Sequence, residues 1–261
     1  MVADKSIVWG HPSYGWRFGQ ERRLDLIRRY VPLEGRAILD VGCGIGIYIQ
    51  QFRRFSSHVY GIDIDAEHLA EARVRAPFLV QGGGEYLPFA DNSFDVVIIH
   101  EVLEHMTDDA AAAREAVRVV RPGGRVVVYA PNRLYPFETH GFYWRGRYHF
   151  GLAPLVNYLP DRWRRHWAPH VRAYLGRDLK RLFDGLPVKP VVHRFVYPGF
   201  DGIERRRWRL AAVLRRICYF AEATPLARFG LSHFLVLEKL PATADFASET
   251  ANGLGLSEAN G

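Results

Sequence analysis

The chain has 261 residues, of which 48% are hydrophobic and 24% charged, and a formal net charge of +7 at pH 7. These are globular values, and the length suffices for one good-sized α/β core plus an elaboration. An uninterrupted apolar run of about 18 residues is missing, which argues against a transmembrane helix, and Met1-Val2-Ala3-Asp4-Lys5 lacks the basic-then-apolar pattern of a signal peptide.

Residues 1–18 carry Trp9, Tyr14, Trp16 and Phe18 and read as a cap or irregular arm. Leu24, Ile27 and Val31 recur at helical spacing, which predicts a helix over 20–31 that Pro32 stops. Ile38, Leu39 and Val41 mark a buried strand over 36–41. Gly42, Gly44 and Gly46 follow at alternate positions, where a sharp turn without Cβ atoms lets a ligand approach the main chain. A helix over 48–55 would then present free N–H groups. A second strand, 58–63, ends on Asp63. Strand, glycine turn and helix are the parts of a nucleotide-type site in an open α/β sheet, and an acid ending the next strand is placed to accept both hydroxyls of a ribose. Asp40, two residues before the first glycine, can accept a hydrogen bond from, or repel, whatever sits in the turn. The Gly-x-Gly-x-Gly spacing departs from that of dinucleotide binders.

The pattern continues with a helix over 66–75, a strand over 78–81 and a strand over 94–100. The last is a continuous apolar run, as expected of a strand covered on both faces. An Ala-rich helix over 109–120 ends at Pro122-Gly123 and leads to a strand over 125–130. Residues 131–170 break the rhythm with five prolines and many aromatics, among them Phe142, Trp144, Trp163 and Trp167. The segment is too apolar for a solvated linker and is expected to fold over the ligand as a lid or wall. A helix over 171–183 and strands over 191–196 and 233–238 complete the series. Between those strands, Leu210, Val213, Leu214 and Ile217 share one helical face flanked by arginines. Residues 205–217 therefore fit a helix packed on the core, a helix in a membrane interface, or a grip on an anionic partner. The stretch from Pro241 is small and polar and is expected to be disordered. Cys43 and Cys218 lie far apart, which speaks against a disulfide and for a reducing cytoplasm.

The charge is uneven. Residues 1–133 hold 16 Lys+Arg against 17 Asp+Glu, whereas residues 134–240 hold 19 against 8. An anionic substrate, an anionic membrane or RNA would be attracted to the second half; a genome rich in Arg codons would produce the same excess.

Four blocks in order resemble one family. They are the glycine turn with Asp40 and Asp63; Gly84 to Ile98; His100-Glu101-Val102-Leu103-Glu104-His105-Met106; and Val120 to Val128. Together they are similar to class I S-adenosylmethionine-dependent methyltransferases of the type 11, ubiquinone-pathway-like group. The resemblance covers about residues 36–132 and implies a doubly wound, mostly parallel seven-stranded sheet, here with an aromatic insertion. It implies a cap over 1–35, an S-adenosyl-L-methionine-binding core over 36–132, a substrate side over 133–240 and a tail over 241–261. By the same resemblance Gly42, Gly44 and Gly46 approach the amino-acid part of the cofactor, with Asp40 beside them and Asp63 on the ribose. Ile64 and Tyr86 flank the adenine, with Glu85 near its edge, and Arg17 or Arg22 meets the carboxylate. Where the family carries an adenine-binding Asp, this chain has Gly83; main-chain groups of Gly82 to Gly84 or Glu85 would replace it, or cofactor binding would be weaker.

Methyl transfer needs mainly alignment, and a base only where the acceptor must lose a proton. His100, at a strand end facing the crevice, is the leading candidate for base and also for cofactor contact; His105, His140, His149, His166 and His170 are others. Glu101, Glu104 and His105 share a face of one helical turn, and such donors suit a divalent metal. The resemblance to metal-using relatives adds His170 as a fourth ligand; in other relatives the same Glu-x-x-Glu-His packs without metal. The expected protein is a cytoplasmic enzyme that O- or C-methylates a small-molecule or lipid-like acceptor, with peripheral membrane contact through 205–217 one of the readings open for that segment. RNA methylation, and a cofactor-binding regulatory or scaffold role without catalysis, are the alternatives.

Overall fold

The structure, a computed structural model, describes residues 15–241. The readings made for Trp9, Tyr14 and the tail from residue 242 lie outside the described residues.

Helix α1 (Phe18–Tyr30) starts at Arg17, whose backbone N–H donates to Gln20 Oε1 at 2.8 Å, and buries Leu24 and Ile27. Strand β1 (Ile38–Val41), helix α2 (Ile47–Phe52) and strand β2 (Val59–Asp63) follow, then α3 (Ala66–Ala72), capped by the Asp65 carboxylate, and β3 (Phe78–Gln81). Strand β4 (Phe94–His100) runs into a 3₁₀ turn over Leu103–His105. Helix α4 (Asp109–Val119) is capped by Asp108, whose Oδ1 accepts from Ala111 N at 2.8 Å.

Strand β5 (Val120–Pro131) begins directly where α4 ends. Pro122-Gly123, expected to terminate the helix, instead sits in a register shift between β4 and β5: Phe94 faces Val120, and Val96 faces Arg125. The segment after β5, expected to be irregular, is a pair of nested antiparallel ladders. Strand β6 (Phe137–Glu138) and β9 (Ala153–Pro154) enclose β7 (Phe142–Trp144) and β8 (Arg147–His149). Helix α5 (Asp161–Trp167) packs Trp167 against Trp144, with ring centroids 4.9 Å apart. The predicted helix over 171–183 shortens to α6 (Gly176–Arg181), because Tyr174 is drawn into a bridge with Asn132. Strand β10 (Val188–Val196), the short helix α7 (Asp201–Glu204), α8 (Trp208–Ala221), a 3₁₀ turn over Pro225–Phe229 and β11 (Ser232–Lys239) end the series.

One seven-stranded sheet has the order β10-β11-β5-β4-β1-β2-β3, and β11 runs antiparallel to both neighbours. The strands between are parallel, so both faces must be covered. Leu24, Ile27, Ile49, Phe52 and Leu69 from α1, α2 and α3 cover one face. Ala112, Ala116 and Leu179 from α4 and α6 cover the other. The chain order reverses beside β1, where β2 leaves on one side and β4 on the other. That is the switch point at which open α/β sheets hold ligands, beyond the carboxyl ends of the strands.

Candidate active site

At that switch point lies a cavity of about 360 Å³, walled by the glycine turn, the end of β2, Gly82 to Glu85 and residues His100 to Val102. Two of the glycines that line it are required by backbone geometry. Gly42 has φ +71° and Gly44 φ +53°, a left-handed region that costs other residues about 1 kcal/mol or more. A Cβ on Gly42 would also lie 2.5 Å from both methyl groups of Val102. The turn is pinned when Gly42 N and Cys43 N donate to Ile62 O at 2.8 and 3.0 Å.

Asp63 ends β2 at the cavity wall. Its Oδ2 accepts from Gly44 N at 2.7 Å and its Oδ1 from Asp65 N at 2.9 Å. Two main-chain donors thus hold the carboxylate in one orientation, and His68, which also lines the cavity, stands 3.7 Å from Oδ1. Asp40 is buried beneath the turn and does not line the cavity; burial and the charge of Asp63 push its carboxyl up to about 8. Gly46 does not line it either. With φ +78° it is the N-cap of α2, and a Cβ there would meet Ala72 of α3 at 3.2 Å.

Ile64 and Glu85 line the far end of the cavity, whereas Tyr86 is 81% exposed and outside it. Glu85 Oε1 accepts from Thr107 N at 2.9 Å. A Cβ placed on Gly83 would find Glu85 Oε2 at 2.9 Å. The Glu85 carboxylate therefore occupies the space that a side chain at position 83 would use.

His100 lines the cavity, but its surroundings do not suit a base. Arg23 Nη1 lies 3.0 Å from His100 Nε2, and Tyr48 covers the ring at 4.3 Å between centroids. Burial and the Arg23 charge lower its pKa to about 3, so the imidazole stays neutral and its outer nitrogen is already an acceptor. The arginine that reaches the site is Arg23. Arg22 pairs instead with Glu222 and lies over Tyr219, and Arg17 is exposed. Arg23 also donates to Glu101 Oε1 at 2.7 Å and Ser232 Oγ at 2.8 Å. Burial alone would raise the Glu101 carboxyl, but Arg23, assisted by Ser232, holds it at about 2. Glu101 takes this position at φ +55°, a strain that an ordinary loop residue avoids. Nothing local in the sequence distinguishes Arg23 from its neighbours; its partners lie 77 to 209 residues away. Tyr48 was likewise missed. It lines the cavity, and its buried hydroxyl has no hydrogen-bond partner among the described residues.

The proposed metal ligands separate. Glu101 is committed to Arg23, and His170 Nε2 lies 3.0 Å from the carbonyl oxygen of His140. Glu104 and His105 gather with His140 instead, their ligand atoms all within 4.8 Å of one another. Glu104 is fully buried, neither oxygen has a donor among the described residues, and burial together with Glu101 pushes its carboxyl well up. His140 comes from the insertion, held by Glu138, whose Oε2 accepts from Arg164 at 2.7 Å. The aromatic rings of that insertion pack on one another, and no residue of 131–170 lines the cavity.

A mostly parallel sheet with a glycine turn at its switch point, and an anchored acid on the next strand, defines a Rossmann-like fold. Residues 39–128 match the family model described as "Methyltransferase domain". A ubiquinone biosynthesis O-methyltransferase of Xylella fastidiosa is 35% identical over 118 residues, 42% of this chain and 48% of that one. A demethylmenaquinone methyltransferase of Corynebacterium kroppenstedtii is 38% identical over 113 residues, 43% and 47% of the two chains. The chain thus spans about half the length of the curated relatives it matches. An S-adenosylmethionine-dependent methyltransferase from Mesorhizobium loti has the same fold, with a TM-score of 0.59 at 19% identity over 82% of this chain and 96% of that one.

Proposed function

We propose that this chain transfers a methyl group from S-adenosyl-L-methionine to a small-molecule or lipid-like acceptor, at oxygen or carbon. One observation carries the cofactor reading. Asp63 is held by Gly44 N and Asp65 N with its carboxylate at the cavity wall, next to a turn that has no Cβ at Gly42 or Gly44. The residues present fit the group. Asp63 would accept the ribose hydroxyls, Gly42 and Gly44 would leave room for the amino-acid part, and Ile64 would cover the adenine, with Glu85 at its edge. The buried Tyr48 hydroxyl offers the cofactor a hydrogen bond that no described residue meets. When bound, the cofactor supplies an electrophilic methyl on a positive sulfur.

The chain's own task is alignment and exclusion of water. His100, Tyr48 and Arg23 form a rigid wall rather than a proton acceptor. His105, which lines the cavity one turn further on, is the group placed to take a proton from an acceptor hydroxyl. Residues 36–132 hold the cofactor; the elements from 133 onward are the proposed substrate side, although none of their residues lines the cavity. The names of the matched quinone-pathway relatives, and a cavity wall containing Ile64, Val102 and Met106, favour an acceptor with an apolar body. Unpaired Cys43 and Cys218 are compatible with a reducing cytoplasm.

Calorimetric titration with S-adenosylhomocysteine tests the cofactor, and transfer of radiolabelled methyl to lysate fractions tests the acceptor. Label in an organic-solvent extract supports the reading. Label in RNA would replace it with RNA methylation, and binding without any labelled product would favour a scaffold. A second reading adds a divalent cation on Glu104, His105 and His140, carried by the buried Glu104 carboxylate that has no donor among the described residues. A cation there would favour the charged form of Glu104 and lower the pKa of an acceptor hydroxyl. Quenching of the free Mn²⁺ electron-paramagnetic signal by wild type, and not by Glu104→Gln, is the expected result.

A further inference from the structure

Helix α8 was open to three readings, and its burial decides against the simplest. Of its fourteen residues only Ala211 is buried. Cys218 and Tyr219 turn partly inward, while Val213, Ile217 and Phe220 are 54, 60 and 75% exposed on the outer face. Trp208 at the start of the helix is 65% exposed, and Leu226 just beyond its end is 56% exposed. At 100° per residue, Leu210, Val213, Ile217 and Phe220 fall within one narrow stripe, and Arg209 and Arg216 lie along its edge. Arg205, Arg206 and Arg207 precede the helix. All five arginines are exposed, and none has a carboxylate within ion-pair distance among the described residues. The acids nearby are spent elsewhere: Glu204 on Arg215, and Glu222 on Arg22.

We infer that α8 docks this protein on an anionic lipid bilayer, lying in the plane of the interface with its apolar stripe among the acyl chains. The combination is that of an interfacial helix: a long apolar side-chain row, a tryptophan at one end and unneutralised cations along the flank. Charge complementarity selects this occupant. A second copy of the chain would bring two cationic faces together, in a protein whose residues 134–240 carry 19 basic against 8 acidic residues. RNA would meet the arginines but would leave the aliphatic stripe in water. Position supports the same choice. The inner face of α8 rests on α1, with Arg215 3.9 Å above Phe18 and Tyr219 stacked on it at 6.4 Å. Gln20, two residues further along α1, lines the cavity. The docked helix would therefore hold the cavity beside the lipid surface, where an apolar acceptor is concentrated. The docking itself rests only on α8 and stands whatever the reaction proves to be.

The full chain is to be co-sedimented with vesicles of phosphatidylcholine alone, and with vesicles containing about one third phosphatidylglycerol. Wild type is expected to sediment with the anionic vesicles and not the neutral ones, and to be released as salt rises. Ile217→Glu/Phe220→Glu should lose roughly tenfold or more in partitioning, and so should Arg209→Glu/Arg216→Glu. Both pairs are exposed, so far-ultraviolet dichroism and the melting temperature should match wild type. No sedimentation of folded wild type at low salt would overturn the inference, as would wild-type partitioning by both variants. A dimer in sedimentation velocity that Ile217→Glu/Phe220→Glu dissociates, with vesicle binding absent, would assign the stripe to self-association. Tight binding of single-stranded RNA without vesicle binding would assign the arginines to nucleic acid.

Discussion

The Arg23 guanidinium stands 2.7 Å from the Glu101 carboxylate and 3.0 Å from His100 Nε2, joining α1 to the end of β4 across the floor of the site. Both partners are half-buried at the cavity wall, so removal of the cation leaves the Glu101 carboxylate without its guanidinium. Arg23→Ala should destabilise the fold by about 1–3 kcal/mol, read by urea denaturation at neutral pH. The sign with pH follows from Glu101, whose carboxyl is depressed from 4.5 to about 2. Its contribution is present above pH 4.5 and is lost as the pH falls towards 2. The variant should show a shallower acid slope than wild type, and equal slopes would disprove the pairing as its source.

Asp63→Ala should weaken S-adenosylhomocysteine binding by roughly 10- to 100-fold, the loss expected for charge-assisted hydrogen bonds to a ribose. It also leaves Gly44 N and Asp65 N without their present acceptor. Asp63→Asn, which keeps an oxygen for one of them, should retain more stability than Asp63→Ala while binding the ligand poorly. Titration calorimetry and thermal melts on the two variants separate these effects.

Glu85 and Gly83 permit a swap. Glu85→Gln should reduce S-adenosylhomocysteine affinity by up to about tenfold. Gly83→Asp alone should not improve it, because the new carboxylate would crowd Glu85 Oε2. Gly83→Asp with Glu85→Ala, which empties that space, should restore affinity. A Glu85→Gln protein that binds like wild type would remove Glu85 from the adenine site.

Asp40 runs the opposite way with pH from Glu101. Its folded pKa is raised from 3.8 to about 8, by burial and then by Asp63. Its stabilising preference for the protonated form is whole below pH 3.8 and is lost as the pH climbs to about 8. Asp40→Asn should therefore be more stable than wild type at pH 8 and should lose the advantage by pH 4, in urea denaturation at the two pH values.

The central strands of the cofactor half were legible because each is an apolar run buried on both faces, as in Val96 to Ile99, whereas the edge strand β3 is part-exposed. The glycine turn and Asp63 were legible because their chemistry is local. Tyr86 was read as a ligand contact, yet it sits in the loop between β3 and β4 with its ring turned to solvent. The insertion was misread as irregular because its strands are two or three residues long, too short for any alternation to register. Arg23 and His140 gain meaning only from partners far along the chain, and spacing carries no such information. For α8 the amphipathic pattern was plain, but periodicity cannot say whether an apolar stripe faces inward or outward.

Strand β11 is wedged between β5 and β10 and pairs from Pro131 to Arg125 on one side. Until it docks, Val126 to Val128 form an unsatisfied hydrogen-bonding edge of pure aliphatic character. A folding intermediate that lacks β11 would be open to pairing with a neighbour's strand, so shielding by a chaperone matters most before this strand inserts.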